Sequence, residues 1–359
     1  MRSSRAIRVF LPLILILLLL SSCGHREESG QDLFQALRSH QEEQQDGQEQ
    51  IVILLSHSAT EDRPTHQAAL CFKQQLEELS QGAFYVEIYP NDTLGNVMDN
   101  ASSFSSSPVQ MRIGLGDSTP LMKLCILAPV LGELSLPELD ALFQTGELRE
   151  LLEAQYEENG VKLLETLPSE YRYLACDQAI TSLEDFQSLK IRVPVADDSN
   201  ARYWQALGAE TLTVDIKQLH IALQQGTVNA HESTLPVILG QKLYPYQHYL
   251  IRIPHRIYFD TMIMNLDFFN GLTAEQQDWV LQAASTARVR YQLESQTYLE
   301  KNQAVLEDYG IQNLLLSPTL NQTMRQYSLQ YELPELEDQL GTELFERVCA
   351  MLRTDLPPV

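Results

Sequence analysis

Apolar positions along this chain follow two alternating periods. Ile51 to Leu55 is a short apolar run and predicts a first strand. Over 65–80, Ala69, Phe72, Leu76 and Leu79 recur at spacings of three and four, the period of one helix face, and Gly82 stands where a helix stop belongs. Phe84, Val86 and Ile88 then alternate with other residues, which predicts a strand over 84–89 closed by Pro90. The order repeats: a helix over 139–159 ending at Gly160, then a strand over 161–165. Further on come a short helix opened by Ser182-Leu183-Glu184-Asp185, a strand over 189–193 and a helix over 199–207. A strand over 211–214, a helix over 216–225 closed by Gly226, and a strand over 228–232 complete the series. Strands and helices in alternation predict an α/β fold with largely parallel sheets.

The longest predicted helix comes last. Thr273 with Gln276 forms a capping box, and no proline or glycine intervenes before Gly310. About 36 residues at roughly 1.5 Å each reach about 54 Å. One compact domain has no use for that length, whereas a helix bridging two domains does.

The N-terminus breaks the pattern. Arg2, Arg5 and Arg8 precede an apolar run from Val9 to Leu20. That run falls short of the roughly 20 residues a membrane-spanning helix needs, and with its basic head it has the form of a secretory signal. Leu20-Ser21-Ser22-Cys23 resembles a bacterial lipobox, so residues 1–23 are expected to be a lipoprotein signal with Cys23 acylated, for instance by palmitate. Residues 24–50, rich in Glu, Gln and Ser, cannot bury enough surface to offset their ordering entropy and are expected to be a tether. The net charge of −23 argues against nucleic acid as a partner. Apart from Cys23, the cysteines Cys71, Cys125, Cys176 and Cys349 permit three pairings. Buried thiols are expected rather than a disulfide framework, since none has a close partner in sequence and Cys71 falls on an apolar helix face.

No catalytic signature is present: no G-x-S-x-G elbow, no P-loop and no H-E-x-x-H. Gly114-Leu115-Gly116-Asp117-Ser118 lacks the third glycine of a dinucleotide loop. The histidines lack metal-ligand spacing; no metal or cofactor is expected, and His66, His220, His231 and His255 are expected on the surface or in packing. The strongest local signal is Lys190-Ile191-Arg192-Val193-Pro194. The end of a parallel strand points into the crevice where ligands bind, and an arginine there presents a planar fork that fits a carboxylate.

From about residue 51 to about 300 the chain resembles the extracytoplasmic solute receptors of tripartite ATP-independent periplasmic (TRAP) transporters. Ser80-Gln81-Gly82, Tyr89-Pro90 and Leu94-Gly95 match the opening segment of that family. LEDFQSLKIRVP, Leu183 to Pro194, resembles its most characteristic motif. Leu207-Gly208-Ala209, Ala222 to Gly226, and VNAHESTLP from Val228 to Pro236 follow in order. The resemblance implies a two-lobed periplasmic-binding-protein fold with a cleft between the lobes and a long helix spanning both. The expected partition is 51–169 with about 257–296 in the first lobe and 170–256 with about 297–350 in the second. It also implies a non-enzymatic, periplasmic role: capture of a small organic anion for the permease subunits, from a lipid anchor in a bacterial membrane. By the same resemblance Arg192 is the main ligand-binding arginine, and Arg172, twenty residues earlier, lines the site. Asp117 lies where relatives place a site acid, and Glu232 and Ser233 stand where relatives have Glu-Asn.

Departures from the family qualify the ligand. Ser233 replaces an asparagine whose amide both donates and accepts, Ile216 stands where many relatives have an aromatic residue, and Asn229-Ala230-His231 replaces the usual Asp-Gly-Gln. A less polar, roomier site is expected, open to an apolar carboxylate. Two other readings are a lipid-anchored hydrolase, disfavoured because no nucleophile has an adjacent base, and a sensor or scaffold that kept the fold.

Overall fold

The structure, a computed structural model, describes residues 50–94, 104–105, 107–115, 136–194 and 198–351. The signal with Cys23, the tether up to residue 49, Asp117 and Cys125 lie outside the described residues.

The chain opens with β1 (Ile51–Ser56), α1 (Pro64–Leu79), β2 (Phe84–Tyr89) and β3 (Met111–Leu115), and both β2 and β3 pair with β1 in parallel. α1 starts on Pro64, at a position where a missing N–H costs nothing, and buries Ala68, Ala69, Phe72 and Leu76. The single helix expected over 139–159 is two helices, α2 (Leu136–Gln144) and α3 (Glu147–Glu158). The cause is Gly146, the N-cap of α3, whose φ of +84° is a left-handed conformation that glycine adopts readily and no right-handed helix contains.

The strand expected over 161–165 is longer. β4 (Val161–Cys176) has 16 residues. A 3₁₀ turn over Leu183–Ser188, closed by the Ser182–Asp185 capping box, leads to β5 (Lys190–Val193). Then come α4 (Asp198–Ala206), β6 (Glu210–Thr213), α5 (Ile216–Gln224), β7 (Ala230–Ser233) and α6 (Leu235–Gly240). β8 (Tyr249–Asn265), 17 residues long, has no counterpart in the sequence pattern. α7 (Leu266–Gly271), α8 (Ala274–Asp308), β9 (Gln312–Leu314), α9 (Pro318–Tyr331), α10 (Leu333–Leu340) and α11 (Thr342–Met351) complete the described chain.

The nine strands form one sheet in the order β2-β1-β3-β8-β4-β7-β5-β6, with β9 also on β8. The sheet is mixed, which corrects the expectation of largely parallel pairing. β8 runs antiparallel to β3 and β4, and β4 antiparallel to β7. β4 and β8 pair from Val161↔Asn265 to Cys176↔Tyr249 and so belong to both lobes.

Each lobe has its own core. One apolar cluster joins Ile53, Phe72, Met111, Leu167, Met264 and Val280. At the other end of the sheet two clusters form, one around Phe186, Ile191 and Trp204, the other around Leu219, Val228 and Ile238. α8, 35 residues and about 52 Å long at roughly 1.5 Å per residue, connects them. It buries Ala283, Ala287 and Tyr291 in the first core and Leu306 in the second, and the expected Thr273–Gln276 capping box starts it. The expected partition sends residues 297–350 to the second lobe; α11 instead packs beside α3, with Arg347 paired to Glu147.

Cys71 and Cys176 are free thiols. Burial pushes Cys176 up to about 12 and Cys349 to about 11, so both stay protonated. Of the histidines singled out from the sequence, His66, His231 and His255 are buried, and His220 packs edge-on against Tyr246.

Candidate functional site

β5 and β7 run parallel, with Ile191 opposite Ala230 and Arg192 opposite His231, and both end at the same edge of the sheet. That edge is the carboxyl end of the strands, where open α/β sheets bind ligands. It opens into a cavity of about 540 Å³. Arg192, Ser233 and Arg172 line one wall of it, and Ile216, the first residue of α5, joins them. Arg172 reaches the same edge because β4 pairs beside β7, Tyr173 against Ser233.

The two arginines are held differently. Arg192, 8% exposed, donates its Nε–H to the Val214 carbonyl at 2.7 Å, just past β6. That bond fixes the plane of the guanidinium at the cavity wall. Arg172 donates Nη2 to the Glu232 carbonyl at 2.9 Å and forms an ion pair with the Glu232 carboxylate. Glu232, expected among the ligand contacts, is 2% exposed and is absent from the cavity lining. Strand alternation explains this: Ser233 faces the cavity, so its neighbour faces the other side of the sheet.

Behind Glu232 the polar groups continue. Trp204 Nε1 donates to Glu232 Oε2 at 3.4 Å, and His255 Nε2 lies 3.2 Å from the same oxygen. His255 Nδ1 lies 3.0 Å from Glu332 Oε2, Arg256 Nε donates to Glu332 Oε1 at 2.8 Å, and Ser328 donates to Glu332 at 2.7 Å. Tyr203 stacks on His255 with ring centres 4.5 Å apart. Burial pushes the His255 pKa down, against the pull of Glu332. Burial pushes Glu332 up, but His255 and Arg256 outweigh it and hold the carboxylate ionised. Arg172 is therefore the cavity end of a buried chain of charges that reaches the junction of α9 and α10. His231, beside Arg192 on the sheet, is lowered to about 3 by burial and then by Arg192 and Arg172, so it stays neutral.

The opposite side of the cavity was not legible from sequence. Arg63 and Thr65 at the start of α1, Asp260 on β8, and Tyr291 and Tyr298 on α8 all line it. Thr65 and Tyr291 donate to Asp260 Oδ2, each at 3.2 Å. Burial raises the Asp260 pKa, against Arg63 and these two hydroxyls. The only local signal was Arg63-Pro64 at the helix start; Asp260 sits in a strand the periodicity did not reveal. The cavity thus presents three arginines, Arg63, Arg172 and Arg192, against Asp92 and Asp260, with apolar patches from Ile216, Val237 and Leu299. Fixed cationic forks in a partly closed cleft favour an anion, a carboxylate above all.

Comparison with known proteins agrees with this geometry. The family described as bacterial extracellular solute-binding protein, family 7 (DctP) matches residues 55–331. A solute-binding protein of Roseobacter denitrificans is 28% identical over 244 residues, covering 67% of this chain and 74% of that protein. The C4-dicarboxylate-binding periplasmic protein DctP of Rhodobacter capsulatus is 26% identical over 244 residues, covering 63% of this chain and 68% of that one. Among solved structures, a TRAP periplasmic solute-binding protein of Ochrobactrum anthropi superposes with a TM-score of 0.77 at 21% identity, over 85% of this chain and 95% of that one. One from Shewanella oneidensis with bound succinate gives a TM-score of 0.70 at 20% identity, over 84% and 99%. With the family pattern spanning both lobes and the cavity between them, the chain belongs to the DctP family of TRAP periplasmic solute-binding proteins, which are binding proteins and not enzymes.

Proposed function

We propose that this protein captures a small organic carboxylate in the cavity between its lobes and delivers it to the membrane subunits of a TRAP permease, working from a lipid anchor on Cys23. The observation that carries the reading is the meeting of Arg192, Arg172 and Ser233 at the strand ends lining one cavity wall. A guanidinium fork gives two parallel charge-assisted bonds to a carboxylate, and a cleft with low-dielectric walls strengthens them. Relatives support the class of ligand: DctP of Rhodobacter capsulatus is a C4-dicarboxylate-binding protein, and the Roseobacter denitrificans structure holds L-galactonate. The volume of about 540 Å³ suits a small molecule. Ile216, Val237 and Leu299 in the lining favour a ligand whose body is partly apolar.

A thermal-shift screen of the leaderless protein tests the reading, since a ligand that binds only the folded state raises the melting temperature. Organic acids should shift it and their primary amides should not. Equal shifts by acid and amide would contradict carboxylate recognition. For the anchor, Cys23→Ser should move the expressed protein from the detergent phase to the aqueous phase; retention in detergent would refute acylation at Cys23.

A further inference from the structure

Arg63 stands apart from the two arginines of the strand ends. It is the N-cap residue of α1, with extended backbone (φ −89°, ψ 152°) and no side-chain cap, so its side chain serves something other than the helix. Its Nη1 donates to the Pro236 carbonyl at 2.9 Å, across 173 positions of sequence and from the first lobe to the second. Pro236 is the second residue of α6, three places past Ser233. The guanidinium carbon lies 5.6 Å from the centre of the Tyr298 ring on α8. A Cβ placed on Gly240 would meet Nη1 at 3.4 Å, so the group is seated against α6 at both its ends. Contacts from two elements, α6 and α8, hold the fork at the cavity. Yet its Nε–H is buried and finds no acceptor among the described residues. A charged donor buried without an acceptor is costly, and a guanidinium can only donate.

We propose that Arg63 is a specificity-determining residue that reads an oxygen acceptor at the end of the ligand remote from its carboxylate, and that its bond to Pro236 couples this recognition to the approach of the two lobes. The idea rests on the carboxylate reading above. The ligand is then two-ended: a carboxylic acid, gripped by Arg192 and Arg172, carrying a second oxygen function at its far end. That oxygen is a hydroxyl, carbonyl or carboxylate. A plain alkanoate of the same length leaves the Arg63 Nε–H without an acceptor. The neighbouring Asp260, accepting from Thr65 and Tyr291, gives a hydroxyl a second partner at the same wall.

Calorimetry with matched straight-chain acids of increasing length, each as the alkanoate, the ω-hydroxy acid and the α,ω-diacid, tests the idea. In wild type, at one chain length, an ω-oxygenated acid should bind about tenfold or more tighter than its alkanoate, the yield of one charge-assisted hydrogen bond. Arg63→Ala should bring that ratio close to one, and Arg63→Lys should leave it intermediate. Equal binding within every wild-type set, or a ratio that survives Arg63→Ala, overturns the proposal without touching the carboxylate reading. A wild-type protein that binds none of these acids while binding their uncharged amides overturns the carboxylate reading itself.

Discussion

Arg172→Ala should destabilise the empty protein, quite apart from any ligand. Glu232 is 2% exposed, and its carboxylate is paired with Arg172. Removing one partner of a buried ion pair leaves the other charge desolvated, at a cost of about 3–5 kcal/mol. The remaining neighbours do not replace the arginine. Trp204 donates one neutral hydrogen bond at 3.4 Å, and burial holds the His255 pKa down. For a body of this size each kcal/mol is worth about 2 °C, so the melting temperature should fall by roughly 6–10 °C. Glu232→Gln should be milder, because an amide in that place carries no charge. The double variant should recover part of the Arg172→Ala loss, since the unpaired carboxylate is then gone. Thermal unfolding of the ligand-free protein, followed by circular dichroism, gives all three numbers. An Arg172→Ala protein melting within about 2 °C of wild type, against the loss expected from the broken pair, would refute the assignment of Glu232 as a buried, ionised partner.

Other expectations follow from the same geometry. Ser233→Asn places at the cavity wall an amide that both donates and accepts, and should shift preference toward smaller, more polar acids; a competition panel that ranks acids identically for mutant and wild type contradicts this. Burial raises the Glu165 pKa to about 7, outweighing Arg288 and Arg149. The folded state therefore holds this proton where the unfolded state has lost it, and the contribution to stability falls as pH rises from about 4.5 to about 7. Glu165→Gln should flatten that decline in melting temperature. His57 behaves oppositely: burial and His66 lower its pKa from 6.5 to about 4, so stability is lost as pH falls through that window. His57→Asn should flatten the acid side of the same curve.

Much of this fold is legible in the sequence, and the parts that are not share physical causes. α8 stood out because nothing interrupts its 35 residues and a capping box begins them. The β5–β7 region stood out because its elements are short, each bounded by a glycine, a proline or a cap. β4 and β8 did not, although they are the longest strands. Register shifts at Leu163/Glu165, Pro168/Glu170 and Tyr171/Tyr173 break the alternation that reveals a strand. Pro168 and Pro254 within them read as strand breakers. Because these two strands run antiparallel, the parallel sheet inferred from strand–helix alternation was only partly right. At the site, Arg192 announced itself by its place before Pro194. Glu232 was misplaced by one step of strand alternation. Arg63 left no trace beyond its place before Pro64, because the carbonyl it meets lies 173 residues away and no local spacing encodes that distance.

The central claim is that Arg192 anchors a ligand carboxylate, and calorimetry on Arg192→Ala with the tightest-binding acid tests it most directly. Arg192 lies at the cavity wall with its plane set by the Val214 carbonyl, and its removal leaves the ligand's charge facing only Arg172, which Glu232 already pairs. The expected loss is about 3–5 kcal/mol, a few hundredfold or more in Kd at about 1.4 kcal/mol per tenfold. Arg192→Lys should recover only part of it, because an ammonium cannot supply two parallel bonds in one plane. Binding of the acid by Arg192→Ala within a few fold of wild type would contradict the claim.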